Sequence, residues 1–138
     1  MREVKYRAWS IENECYLDMN FDMISSYYMN SSYFFLAPNG TFYEAYKTID
    51  GDEYCEVAVD IQFYTGLKDC KGCEIFEGDI VKAKIGAIDF ILKIEFEHGK
   101  FMAVGDDDLT AFDLFTITDK CEIIGNIYEK SELLKWKS

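Results

Sequence analysis

Cys70-Lys71-Gly72-Cys73 places two thiols three residues apart on a turn. A Cys-x-x-Cys in a β-turn is how zinc knuckles present two thiolates to one metal. Structural zinc needs four ligands, however, and no second pair at matching spacing follows; only Cys15, Cys55, Cys121 and His98 remain, scattered along the chain. A dithiol redox site wants its pair at a helix N-terminus behind a strand, where the thiol pKa falls. Here the pair flanks a two-residue hairpin turn. The expectation is two free thiols facing each other as a hydrogen-bonded pair, Cα atoms about 5.5 Å apart, with no metal bound. A metal-binding protein using Cys70 and Cys73 is the weakest functional reading of the sequence.

The remaining chemistry-bearing residues are weaker still. Asp106-Asp107-Asp108 with Asp113 is the densest acidic cluster, but it lacks the Asp-x-Asp-x-Asp-Gly spacing of a calcium loop and reads as a solvated loop. Glu95 and Glu97 share one face of a strand about 7 Å apart, a spacing that suits acid–base work only where a cleft and a partner exist. His98, the sole histidine, sits in a Glu-His-Gly-Lys turn with no nucleophile to activate. No Gly-x-Ser-x-Gly, phosphate-binding glycine loop, His-Glu-x-x-His or dinucleotide fingerprint occurs. The reading is a protein without catalytic activity, cofactor or metal.

The elements that must position these residues follow from period-two patterning. Val4, Tyr6 and Ala8 alternate with Lys5, Arg7 and Trp9, and Cys15 to Phe21 can return as a second strand after a turn at Asn13-Glu14. Met23 to Ser32 has helical spacing at Ile24, Tyr27 and Tyr28 among poor helix formers, so a short helix and a loop both stay open. Tyr33 to Leu36, Pro38-Asn39-Gly40 and Thr41 to Tyr43 read as a hairpin. Val57, Val59, Ile61 and Phe63 alternate against Ala58, Asp60, Gln62 and Tyr64; Val81, Ala83 and Ile85 against Lys82 and Lys84; Phe90, Leu92, Ile94 and Phe96 against their neighbours. The alternation predicts one continuous core containing Val57, Val59, Ile61, Phe63, Val81, Phe90, Leu92, Ile94 and Phe96. Further strands fit Phe101 to Val104, Phe112 to Ile117 and Glu122 to Tyr128, and Ser131 caps a short terminal helix. Short strands with tight turns suggest a small closed or half-closed barrel.

Composition bounds the partners. With 138 residues, 49% of them hydrophobic and 17% aromatic, the chain has one domain's length and enough apolar material for a β-rich core. No apolar run approaches the ~20 residues that span a bilayer, and the N-terminus lacks a signal peptide's apolar core. A cytoplasmic location with free thiols is expected. The net charge of −12 opposes direct contact with nucleic acid or anionic membrane. Two partner classes fit: a protein recognised through a Tyr- and Trp-bearing surface, or a nucleic-acid-binding protein occupied by an acidic decoy. A binding module should show an apolar patch ringed by charge, a decoy carboxylates in paired rows. Oligomeric state is left open.

Tyr64-Thr65-Gly66-Leu67-Lys68-Asp69, the Gly72 turn and Glu74-Ile75-Phe76-Glu77-Gly78-Asp79-Ile80-Val81 resemble the signature block of the YopX family, small proteins of bacteriophages and prophages. The start, Met1 to Trp9, and the segment Ile124-Gly125-Asn126-Ile127-Tyr128-Glu129 are similar to that family's two ends. The resemblance implies a mainly β protein, a small SH3-like barrel with additional N-terminal strands and little helix. In that reading 1–138 form one domain, with strands of 1–64 packed on a barrel-like part at 65–130. It implies no particular activity, and an unknown host or phage protein as partner. Where the cysteines stand the family usually has a charged residue, so Cys70 and Cys73 look like substitutions in a variable turn. Thr65, Gly66, Leu67, Asp69, Gly72, Glu77, Gly78 and Asp79 are expected to serve structure: glycines for positive φ or close approach, carboxylates for turn N–H groups.

Overall fold

A computed structural model describes residues 5–17, 32–107 and 109–129. The expected helix or loop from Met23, the returning strand beyond Leu17 and the terminal helix at 131–136 lie outside the described residues. The protein is mainly β. Strands β1 (Tyr6–Ser10), β2 (Cys15–Tyr16), β3 (Ser32–Leu36), β4 (Phe42–Thr48), β5 (Gly51–Glu56) and β6 (Val59–Lys68) lead to β7 (Glu74–Phe76), β8 (Asp79–Ile85), β9 (Ile88–Glu97), β10 (Lys100–Val104), β11 (Ala111–Asp113) and β12 (Cys121–Asn126). One short helix, α1 (Leu114–Ile117), and a 3-10 turn (Thr118–Lys120) precede the last strand. Two compact units result: Arg7–Ile61, and Met1–Tyr6 with Gln62–Ser138. The chain passes between them inside β1 and β6.

The larger unit is built on a five-stranded antiparallel sheet in the order β11-β10-β9-β8-β12. Its core comprises Ile75, Val81, Ala83, Leu92, Ile94, Ala103, Leu114, Ile117 and Cys121. Alternation places Lys82 and Lys84 on the exposed side of β8, opposite buried Val81 and Ala83. A two-residue turn joins β9 to β10 between the paired Glu97 and Lys100. His98 and Gly99 there both take positive φ, the geometry that follows the right-handed twist of a hairpin.

Several expectations need correcting. The anticipated core is not continuous: Val57, Val59 and Ile61 belong to the Arg7–Ile61 unit and are half-buried. In β6 the inward side is the other one, with Gln62 and Tyr64 buried and Phe63 39% exposed. Period two defines two faces but not which is inside. Here Tyr64 packs on Phe76, ring centroids 5.5 Å apart, while Phe63 lies 6.1 Å from the Tyr6 ring. Phe96 is 54% exposed, because β9 outruns the core and its ring rests edge-on against Phe101. The strand expected over Phe112 to Ile117 stops at Asp113, whose carboxylate caps α1 by accepting from Phe115 N–H at 3.1 Å. Leu114 and Ile117, three residues apart, are then both buried, as one helical turn requires.

The Arg7–Ile61 unit contains the β1–β2 hairpin and a three-stranded sheet, β3-β4-β5. Trp9 pairs with Tyr16 in T-shaped contact at 5.0 Å, and the Arg7 guanidinium lies 4.6 Å from the Tyr16 ring. Ala8, Trp9 and Ser10 are buried in succession, so β1 is covered on both faces instead of the expected one. At the β3–β4 turn Asn39 Oδ1 accepts from Thr41 N–H at 2.9 Å beside Gly40 at φ 87°. Strand β5 had no counterpart in the sequence reading.

Candidate functional site

The signature block closes on Asp69. This buried carboxylate accepts three main-chain N–H groups at 2.9 Å each: Lys71 and Cys73 on Oδ1, Ile123 on Oδ2. Burial pushes its pKa up, but the N–H groups of Ile123, Cys73 and Lys71, with the Lys71 charge, outweigh burial and hold it below the usual carboxylate range. Asp69 thereby ties its own turn to β12, 54 residues away in sequence. Gly72 at φ 84° lets the turn close, its N–H donating to the Asp69 carbonyl at 3.0 Å.

Each neighbouring motif residue has a comparable partner. Thr65 Oγ1 donates to the Ile75 carbonyl at 2.8 Å and accepts from Leu67 N–H at 3.1 Å, beside Gly66 at φ 83°. Leu67 packs against the core cluster. Glu77 accepts from Phe63 N–H, and Asp79 from Phe76 N–H, both at 2.8 Å. Gly78 combines φ 83° with a close approach: a Cβ there would collide with the buried Gln62 amide. Its N–H donates to Ile94 and its carbonyl accepts from Ile127. Each of these groups thus has a main-chain partner within the block or its neighbouring strands.

Cys70 and Cys73 are both exposed and free. They do not form the expected hydrogen-bonded pair. The pairing across the turn is Asp69 N–H to the Cys73 carbonyl at 2.9 Å, while Cys70 N–H donates to the Cys121 carbonyl at 2.9 Å. Gly72's left-handed conformation adds a residue to one side and shifts the register. Cys121 is fully buried. Burial first, then Asp69, Cys70 and Asp119, push its thiol up to about 11. Among the described residues no group of three or more His, Cys, Asp or Glu side chains is placed to hold a metal.

Glu95 and Glu97 line an open cleft of about 370 Å³ with Lys93, Val104 and Asp106. Lys93 is ion-paired to Glu95. Burial raises the Glu95 pKa, but its hydrogen bond to Lys93 outweighs that and holds it low. Glu97, hydrogen-bonded to Glu95, is pushed up. Among the described residues no hydroxyl, thiol or imidazole lines this cleft. Asp107 is absorbed by its own loop, accepting from Thr110 N–H and Oγ1 at 2.9 Å, and Asp113 reaches Lys100 at 3.5 Å.

A third region escaped the sequence reading. On the β3-β4-β5 sheet Phe35 stacks on Tyr43 at 5.5 Å and meets Tyr54 edge-on at 5.8 Å. Tyr54 is 59% exposed. Asp52 and Glu56 stand two residues to either side of it on β5 and therefore share its face. The signal was Asp-x-Tyr-x-Glu at period two, masked by the absence of apolar alternation.

The family model described as "YopX protein" matches residues 5–135. No curated protein sequence matches. Among the solved structures that match, two share the fold over nearly the whole chain. Protein yopX from Bacillus subtilis has a TM-score of 0.60 at 19% identity, covering 97% of this chain and 99% of that one. Protein EF1440 from Enterococcus faecalis has a TM-score of 0.54 at 24% identity with the same coverage. Matched by the family model over residues 5–135, nearly its whole length, this chain belongs to the YopX family.

Proposed function

We propose that this is a non-enzymatic accessory protein of a phage or prophage, working in the cytoplasm as a protein-binding module. The observation that carries the reading is the aromatic cluster Phe35, Tyr43 and Tyr54 with Asp52 and Glu56 beside it, an apolar patch edged by charge. Tyrosine-rich patches supply large, rigid contact area, which interfaces favour. Catalysis finds no comparable support, since among the described residues the acidic cleft is lined by no hydroxyl, thiol or imidazole and the motif carboxylates are engaged by main chain. The strand order β12-β8-β9-β10-β11, with a 3-10 turn before the last strand, supports an SH3-like barrel as the scaffold.

A second reading, an acidic decoy for a nucleic-acid-binding protein, rests on charge segregation. Arg7–Ile61 carry ten Asp and Glu against two cations, Arg7 and Lys47. Affinity capture with crosslinking and mass spectrometry in the native host separates the two. A binding module gives crosslinks on the β3-β4-β5 sheet that are lost with Tyr54→Ser. A decoy captures a DNA- or RNA-binding protein that duplex or single-stranded competitor releases. No partner above background defeats both.

A further inference from the structure

The edge of β5 carries the reading further. β5 pairs with β4 on one side only, and among the described residues nothing pairs with its other side. All six of its residues are exposed. The alternation of antiparallel ladders fixes which main-chain groups face outward. Val57 N–H donates to the Phe42 carbonyl at 2.9 Å, so the hydrogen-bonded pairs continue at Cys55↔Glu44, Glu53↔Tyr46 and Gly51↔Thr48. The N–H and C=O groups of Asp52, Tyr54 and Glu56 therefore point away from β4, and among the described residues they meet only a weak contact of the Cys55 thiol with the Glu56 carbonyl at 3.7 Å. The residues that offer an unpaired edge are the same ones whose side chains form the acid–aromatic–acid row.

Resting on the binding-module reading, we propose that this edge accepts an extended basic segment of a partner protein as a fourth strand beside β5. Such a strand pairs directly with Asp52, Tyr54 and Glu56, bringing its own alternate side chains onto their face. Lysine or arginine opposite Asp52 and Glu56 completes two charge pairs, and a side chain between them lies on Tyr54, whose ring is held by Phe35. Exposed edges are commonly guarded by charge against aggregation. These carboxylates do that selectively. A second copy of the chain, paired antiparallel about Tyr54, sets Asp52 against Glu56 and is repelled, as is any acidic strand. A cationic strand is the one the edge admits.

The test titrates the full-length protein with a synthetic octapeptide of strictly alternating Lys and Val, and with its Glu/Val counterpart, following amide shifts and hydrogen exchange by NMR. Expected is binding of the Lys/Val peptide alone, with new protection at Asp52, Tyr54 and Glu56. The double reversal Asp52→Lys with Glu56→Lys weakens it by about tenfold and turns preference toward the Glu/Val peptide. Tyr54→Pro removes an outward N–H without touching the β4 ladder, which edge strands tolerate. It abolishes protection, whereas Tyr54→Thr retains part. Binding that maps elsewhere, survives Tyr54→Pro, or fails altogether overturns the proposal. The binding-module reading falls separately, only if the host capture also returns no partner.

Discussion

At the scale of single residues, Asp69 and Gly78 hold the signature block together. Asp69→Asn removes a charged acceptor from three part-buried N–H groups, an expected loss of about 1–3 kcal/mol by urea unfolding. The sign with pH is fixed by the lowered pKa. A carboxylate more acidic folded than unfolded adds stability above the ordinary aspartate range, and that stability drains away as pH falls through the folded value. The gap between wild type and Asp69→Asn should thus be full at neutral pH and close in acid; a gap constant with pH contradicts the hydrogen-bond network. Gly78→Ala combines a positive φ with the Gln62 collision and should cost about 2–4 kcal/mol. Cys121 should resist iodoacetamide at pH 8 until the protein unfolds, while exposed Cys15, Cys55, Cys70 and Cys73 react, as peptide mapping would read. Turn chemistry at Asp69, Gly72, Gly78 and Asp79 was legible because carboxylates and glycines at strand ends have few other uses. That Asp69 reaches Ile123 was not, since nothing local in sequence marks a contact 54 residues away.

At the scale of elements, hairpins with strong alternation were readable and those without were not. β8 and β9 showed their inner faces plainly, through Val81, Ala83, Leu92 and Ile94. Leu92→Ala at a fully buried position should cost about 2–5 kcal/mol. Phe96→Ser should cost under about 1.5 kcal/mol, because it gives up mainly the edge-on contact with Phe101. Equal losses in the two variants would restore Phe96 to the core. β6 misled because aromatic residues line both of its faces, and only tertiary contact decides that Tyr64 goes in and Phe63 out. β5 stayed hidden for another reason. It is a strand by main-chain pairing alone, exposed on every residue, so no hydrophobic pattern records it.

At the scale of the whole molecule, charge is the readable property. Lys82, Lys84 and Lys93 are the lysines of the central strands, yet Lys82 stands opposite Glu122 and Lys93 is paired with Glu95. Micromolar protein should give no mobility shift with duplex DNA at ~150 mM salt; a shift with a steep salt slope would show a cationic surface elsewhere. The division of the chain has a consequence in time. The larger unit is discontinuous: Lys5 belongs with residues beyond Gln62, its carbonyl accepting from Tyr64 N–H and its amine bonding Glu74, 69 residues later. At ~5–20 residues per second on a ribosome, Lys5 waits about 3–14 s for Glu74 to be made. The whole of Arg7–Ile61 is synthesised in that interval and is free to settle first, while β12, which closes the other unit against β8, is made later still. Lys5, made before the Arg7–Ile61 unit, finds its place only after that unit is complete.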